Sequence, residues 1–324
     1  MIGVWLESTD AAWNLAAEEY LLRNVREDCF LLWRNRPAVV FGRNQIPHAE
    51  VDHRFLLETG TALVRRQSGG GAVYHDLGNV NFSFLRTRRS GPSLDYERLC
   101  QPVLAFLTSL GLPVRPDGKS DISLGGLKIS GNAQYATADR HLYHGTLLFD
   151  TDLEALGKAL AGKPEKYRHG GVKSVRRRVT NIRPHLVSDM TVETFMENLW
   201  IFMRRRLGFR TVALSQEDER RIADLAGAKY AGWRWTYGTS PPYEFQNARS
   251  HGGDPCEVRL KVVRGIIQEA RVEAWTPVSA DGDLSGLLEG CPHDPASLRG
   301  RLAGRLKHPV GNSPDPEFFL WRLL

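Results

Sequence analysis

Residues 65–85 read RRQSGGGAVYHDLGNVNFSFL, and the three consecutive glycines Gly69, Gly70 and Gly71 constrain this chain more than any other feature. Lacking Cβ atoms, their backbone can turn through positive φ and approach a ligand where side chains would collide. Arg65, Arg66 and Ser68 precede them, and His75 and Asp76 follow. Cationic forks, a hydroxyl and a run of backbone N–H groups are thereby gathered around one loop, the makings of a cradle for a phosphate or a carboxylate. The loop is not a Walker A motif, since no Gly-Lys-Ser/Thr follows, and its spacing does not give G-x-G-x-x-G.

The elements around the loop follow from periodicity. A helix is expected from Asp10 to Arg26, because Asp10 can cap it and Trp13, Ala16, Ala17, Tyr20 and Leu21 recur at helical spacing. Phe30 to Arg34 and Ala38 to Phe41 read as two apolar strands joined across Asn35 to Pro37, and Pro47 to Glu58 as a short helix. Ala62 to Arg65 is the strand that delivers the glycines. Val80, Phe82 and Phe84 alternate with Asn81 and Ser83, which makes Asn79 to Leu85 a strand with one apolar face. Asp95 to Leu110 reads as a helix stopped by Gly111, and Asp121 to Leu124, Lys128 to Gln134 and Leu142 to Phe149 as strands. Further helices are expected at Asp152 to Ala161, Val192 to Leu207 and Glu217 to Lys229. Strands that neighbour strands, rather than alternating with helices, favour an α+β fold of mixed β-sheets flanked by helices.

The texture changes near residue 240. Trp233, Trp235 and Tyr237 alternate as one face of a strand would. Gly238 to Pro242 and Ala248 to Pro255 are breaks, and Cys256 to Val263 with Ile266 to Trp275 read as a hairpin turning at Arg264-Gly265. With helical segments at Leu284 to Leu288 and Pro295 to Leu302, these suggest a small α+β accessory domain over residues 241–324, after a main domain over 1–240. The tail from Pro309, ending FFLWRLL, has no readable role.

Composition narrows the class. A 324-residue chain with 42% hydrophobic and 25% charged residues is of ordinary globular character. It has no run of ~18 apolar residues, and MIGVWLESTD carries neither a secretory nor a transit pattern, so the cytoplasm and no membrane are expected. Cys29, Cys100, Cys256 and Cys291 are scattered without CxxC or zinc spacing, as reduced structural thiols would be. A net charge of +6 suits an acidic protein or a phosphate as readily as nucleic acid. No RNP-like or KH-like motif supports the last.

A second polar stretch, LKISGNAQ, places Lys128 at the start of a strand between Gly126 and Gly131. An ammonium held there can neutralise a phosphate or polarise a carboxylate oxygen. Asp121 can contact Mg²⁺ or a ribose, or simply cap a strand. Asn132 and His144 can equally be inward polar groups satisfied by backbone, and Arg176-Arg177-Arg178 can touch phosphate or an acidic partner, although a solvated basic face is the commoner meaning of such a run.

Taken together, RRQSGGGAVYHDLGN, KISGNAQ, YHGTLLFD and SVRRRVTN, in this order, resemble the lipoate-protein ligase A family, whose fold is shared with biotin-protein ligases and octanoyltransferases. The resemblance extends through GWRWTYG to LLEGCPHDPASLRG, from about Ile2 to Gly304, with Tyr143 departing where a His commonly precedes His144. It implies that lipoate and ATP, with Mg²⁺, form lipoyl-AMP, and that the lipoyl group passes to a lysine of an apo lipoyl domain. The implied acceptors are 2-oxoacid dehydrogenase E2 subunits or the glycine cleavage H protein, not nucleic acid. By the same resemblance Arg66, Ser68, Gly69, Gly70, Gly71, His75 and His144 line the lipoate or lipoyl-AMP channel, and Arg43 lies near the acyl chain. Ala72, Val73, Asp121 and Asn132 would contact the nucleotide, Asp121 would hold the metal, and Lys128 would act on the carbonyl and phosphate oxygens as the catalytic residue. No cysteine falls in these motifs, which favours an adenylate over an acyl-enzyme. A transferase using preformed lipoyl-AMP, a ligase for octanoate or biotin, and a non-catalytic binder on the same scaffold stay open.

Overall fold

The computed structural model describes residues 1–88, 96–118, 120–251, 254–273, 284–303 and 319–324. Its strands begin with β1 (Ile2–Trp5), β2 (Cys29–Trp33), β3 (Ala38–Phe41), β4 (Ala62–Arg65), β5 (Val73–His75) and β6 (Asn79–Thr87). β7 (Val114–Asp117), β8 (Asp121–Leu124), β9 (Leu127–Ala136), β10 (Arg140–Leu148) and β11 (Tyr167–His169) follow. β12 (Arg210–Thr211), β13 (Tyr243–His251), β14 (Asp254–Val263) and β15 (Ile266–Glu273) come last. They build an eight-stranded sheet ordered β12-β1-β2-β6-β10-β9-β8-β7, a three-stranded sheet β4-β3-β5 and a four-stranded sheet β11-β13-β14-β15. Parallel pairs such as β1–β2 and β3–β4 sit beside antiparallel ones such as β2–β6 and β6–β10, so the fold is α+β with mixed sheets.

The large sheet is covered on both faces. Val80, Phe82 and Phe84 of β6 enter a core with Leu99, Val103 and Phe106 of the helix Tyr96–Ser109 and Phe195, Leu199 and Met203 of the helix Val192–Leu207. The opposite face of the same sheet carries Leu31, Trp33, Leu85 and Leu142, packed with the helix Ala11–Asn24, whose first turn is capped by the Asp10 carboxylate accepting from Trp13 N–H. The expected one-sided strand is therefore buried on both sides. Asn81 and Ser83, the polar half of its alternation, lie inside the protein, and a buried polar row is the informative departure from ordinary packing.

Several local expectations shift. β2 and β3 do not pair as neighbours but join different sheets, and the expected helix over Pro47 to Glu58 is two, Pro47–Glu50 and His53–Thr59. The helix Gln216–Leu225 continues as a π turn, Ala226–Tyr230. Trp233, Trp235 and Tyr237 are not one strand face. They belong to the short helix Trp233–Thr236 and its cap, in which Tyr237 N–H donates to the Trp233 carbonyl at 2.8 Å. Three aromatics at every second position carry no information that separates a strand from a single helical turn bracketed by Gly232 and Gly238.

β13 begins in the stretch between the two expected breaks and runs into the second as far as His251; Tyr243, Phe245 and Asn247 turn inward while Glu244 and Gln246 between them stay exposed. Its core includes Leu260, Ile267, Leu288 and Leu298, and the unread chain end supplies Phe319, Leu320 and Leu323. Ile46, Ala49 and Tyr167, all well before β13 in the chain, join the same cluster. The expected helix start at Asp95, the far end of the strand running to Trp275, the Cys256 side chain and most of the tail from Pro309 lie outside the described residues and side chains.

A buried imidazole cluster ties the helices Pro47–Glu50 and His53–Thr59 to the chain at His293. The His48 ring packs 4.6 Å from His53 and 4.4 Å from His293, centroid to centroid. His48 Nε2–H donates to the His293 carbonyl, and His293 Nε2–H to the Leu323 carbonyl, both at 2.6 Å. Burial pushes His53 down to about 3 and His293 to about 4, and His48 well below its ordinary value. All three are neutral in the folded chain, whereas the unfolded chain takes up their protons near pH 6.5. Their contribution is thus complete above about pH 6.5 and is lost as pH falls toward 4, with a slope of about 1.4 kcal/mol per pH unit for each. Urea midpoints are expected to drop clearly between about pH 7 and about pH 5; equal midpoints would show that these imidazoles are not buried and neutral.

Candidate active site

β4 ends at Arg65 and Arg66 follows directly, and the alternation of an extended chain sends the two side chains to opposite sides. Arg65 turns away from the glycines and is structural. Its guanidinium donates to the carbonyls of Arg43 (2.6 Å), Gln45 (2.8 Å), Trp235 (2.9 Å) and Thr236 (2.7 Å) and to Ser240 Oγ (2.7 Å). Arg66 turns into the loop and donates to the carbonyls of Val40 (3.0 Å), Gly69 (2.6 Å) and Gly71 (2.8 Å) and to Ser68 Oγ (2.9 Å). Gly70 between them sits at φ +90°, the conformation that needs glycine, and a side chain on Gly42 would overlap the Gly70 carbonyl. Burial lowers Arg66 only to about 10, so it stays charged at neutral pH.

Behind the loop runs a buried polar chain. Ser68 Oγ–H donates to His144 Nε2 at 2.7 Å, and His144 Nδ1–H donates to Glu18 at 3.0 Å; a carboxylate acceptor requires that proton on Nδ1. Glu18 also accepts from Ser83 Oγ–H at 2.5 Å, and Ser83 accepts from Trp33 Nε1–H at 2.9 Å. Glu18 is 2% exposed. His75 Nδ1 accepts from Asn35 Nδ2–H at 2.9 Å, since Asn35 Oδ1 is taken by Asn14 Nδ2–H at 2.8 Å. The His75 proton is therefore on Nε2, and burial, with Arg66 and His144 nearby, pushes its pKa down to about 3.

The opposite wall is charged. Lys128 Nζ lies 3.0 Å from Asp121 Oδ1, and Arg177 bridges Asp117 (2.6 Å) and Asp121 Oδ2 (3.2 Å). Gly131 makes the room for the ammonium, for a Cβ there would stand 2.9 Å from Lys128 Nζ. Gly126 does not: with Gly125 it forms the positive-φ turn between β8 and β9. Asn132 is held rather than free, donating to the Ser120 carbonyl (2.9 Å) and Ser130 Oγ (3.1 Å) and accepting from Tyr143 O–H (2.9 Å). Tyr143, the departure from the family's usual His, is thus a buried positioning group. Ser174 crosses the mouth, its Oγ accepting from Ala72 N–H (2.9 Å) and Gln45 Nε2–H (3.0 Å).

These walls enclose a cavity of ≈ 400 Å³. Asp121, Lys128, Asn132 and Arg177 line its charged part, Gly70, Gly71, Ala72 and Val73 its rim, and Leu15, Trp33, Val40, His75, Asn81 and His144 its inner part. Sequence reasoning missed Glu18, Asn81, Thr146 and Ser174 as members of the site, and weighed Arg177 only as part of the run Arg176-Arg177-Arg178; the polar alternation of β6 was the signal for Asn81. Arg43 is not in the lining. It is exposed, with its guanidinium 5.9 Å from the Trp235 ring centroid. Ser68 and Gly69 stand behind the lining, Ser68 meeting it through His144. Among the described residues no cysteine lines the cavity and no group of three or more His, Cys, Asp or Glu could hold a metal. Both oxygens of Asp121 are engaged by cations, so the residues present do not by themselves fit a protein-held Mg²⁺.

The model of the lipoyl protein ligase A/B catalytic domain matches residues 10–201, more than half of the chain and all of these cavity walls. The chain belongs to that family. It is 35% identical to a lipoate-protein ligase of Bacillus subtilis over 313 residues, covering 94% of each. A solved Thermoplasma acidophilum protein with lipoic acid bound is 27% identical, with a TM-score of 0.62, and covers 72% of this chain and 98% of its own. A lipoate-protein ligase A solved with ATP is 26% identical, with a TM-score of 0.62, and covers 73% of this chain and 98% of its own.

The family's glycine loop is shaped here by Arg66, and that can be measured. Arg66→Met leaves three carbonyls without their donor and is expected to cost about 3 kcal/mol or more in urea unfolding. Arg66→Lys should recover little, because a point charge cannot span four partners; full recovery by lysine would mean that the fork geometry is not what holds the loop.

Proposed function

We propose that this protein is an ATP-dependent lipoate–protein ligase. The observation that carries the reading is the placement of Lys128 where the charged and apolar parts of one cavity meet. In the first step a carboxylate oxygen of lipoate attacks the α-phosphorus of ATP, the bond to the β-phosphate breaks, and pyrophosphate leaves. In the second, an acceptor lysine amine attacks the acyl carbon of lipoyl-AMP, the amide forms and AMP leaves. A free carboxylate resists amine attack, whereas the mixed anhydride carries a good leaving group.

The charged wall suits both steps. Lys128 and Arg177 are held in place by Asp121 and Asp117, and an entering phosphate can exchange with these carboxylates for the same cations. An ammonium already fixed where charge grows stabilises the transition state without reorganising. Mg²⁺ is read as arriving with the triphosphate, and no step is assigned to it. The absence of a cysteine from the described lining supports an adenylate over a thioester.

Acceptors on this reading are apo lipoyl domains of 2-oxoacid dehydrogenase E2 subunits or of the glycine cleavage H protein, in the cytoplasm; no described helix is long and apolar enough to cross a membrane. Residues 241–324 are read as an accessory unit, supported by the shared core of β13–β15 and the C-terminal helices.

Pyrophosphate release from ATP with lipoate tests activation, and the intact mass of an apo lipoyl domain tests transfer, with synthetic lipoyl-AMP in a parallel reaction. Modification in both reactions is expected. Modification with lipoyl-AMP alone would make the protein a transferase, and none in either would overturn the reading. Lys128→Met should lower the rate of activation by about 10²- to 10³-fold with little change in the urea midpoint.

A further inference from the structure

One row of side chains crosses the cavity floor. Trp33 on β2 pairs in register with Asn81 on β6, and Asn81 with Thr146 on β10. Thr146 Oγ1 accepts from Gly131 N–H of β9 at 3.1 Å, beside the Lys128 ammonium. Three inter-strand steps of ~4.8 Å make this row about 14 Å long. An eight-carbon acid laid along it with its carboxylate at Lys128 brings its far end to Trp33, Asn81 and His75, whose ring stands edge-on to Trp33 at 6.0 Å.

For a purely alkyl tail this end should be apolar, and it is not. His75 is 2% exposed and Asn81 1%, and both line the cavity. Asn81 Oδ1 accepts from Asn79 Nδ2–H at 3.0 Å, while its own Nδ2 has no partner among the described residues. His75 Nε2, which carries that ring's proton, has none either. Two buried donors that line the pocket thus have no partner among the described residues, and leaving a buried donor unmet is costly.

We propose that His75 Nε2–H and Asn81 Nδ2–H are a distal recognition pair that selects an acyl ligand bearing acceptor atoms at its far end, such as the dithiolane sulfurs of lipoate, over a plain alkyl acid of the same chain length. The inference rests on the ligase reading above. Sulfur is a weak acceptor and a polarizable one, and the methyl end of octanoate offers no lone pair at all. A site built around donors rejects a ligand that leaves them unpaired. His75 is a dependable donor at neutral pH, since the Asn14–Asn35 chain fixes its tautomer and burial keeps it uncharged.

The test compares kcat/KM for pyrophosphate release with lipoate and with octanoate, in the unmodified protein and in Asn81→Leu. The unmodified protein is expected to favour lipoate by roughly tenfold or more. Asn81→Leu should bring the ratio toward one, with octanoate improving in absolute terms, a gain that misfolding does not produce. Calorimetric Kd values of the two acids for the unmodified protein need no variant and should show the same order. Equal use of the two acids by the unmodified protein overturns the proposal, as does a ratio that Asn81→Leu leaves unchanged. Release with neither acid would instead overturn the ligase reading.

Discussion

A guanidinium taken out of water must have its donors matched in the plane in which they lie, and Arg66 meets that demand with the carbonyls of Val40, Gly69 and Gly71 and the Ser68 hydroxyl. This single constraint decides the course of the glycine loop. The carbonyls turn inward to the cation, Gly70 takes a positive φ between them, and the loop becomes the rim of a cavity. Arg65, one residue earlier, does the same service for the turn Gly42 to Gln45 and the segment at Trp235 and Thr236. Two neighbouring arginines thus fix the two sides of one strand end.

The inner part of the cavity depends on a second buried charge. Glu18 lies on the helix Ala11–Asn24 over the large sheet, and its carboxylate collects His144 and Ser83, with Ser68 and Trp33 one bond further out. A buried carboxylate is tolerable only when its lone pairs are met. The helix, β6, β10 and the glycine loop are therefore held in one register by one polar chain. The same physics makes the donors of His75 and Asn81 conspicuous, since they are the members of that buried face with an N–H and no acceptor.

Much of this was legible in the chain. The helix limits Asp10 and Leu207, the Arg264-Gly265 hairpin and the strand 121–124 follow from local capping, turn and period rules, and the structure bears them out, while the strand expected at 142–149 runs Arg140–Leu148. Lys128, His75 and His144 do converge on one cavity. Arg43 lies outside it, and the aromatic run at Trp233 coils where a strand was expected. Arg43 was placed by resemblance, which does not record where a side chain turns; at Trp233 the spacing was compatible with two backbone conformations, and packing chose between them.

By itself the sequence determined most of the element types, the glycine loop and the family, because these rest on residues close together in the chain: a capping carboxylate, a two- or 3.6-residue period, glycines where a Cβ would not fit. Only the tertiary structure decided that Arg65 braces and Arg66 shapes, that Glu18 belongs to the site, and that Asn81 shares a row with Trp33 and Thr146. Most of those facts depend on groups distant in the chain meeting in space, as Trp33 and Ser83 do, and all of them on the cost of leaving a buried donor or charge unmatched, which no local pattern records.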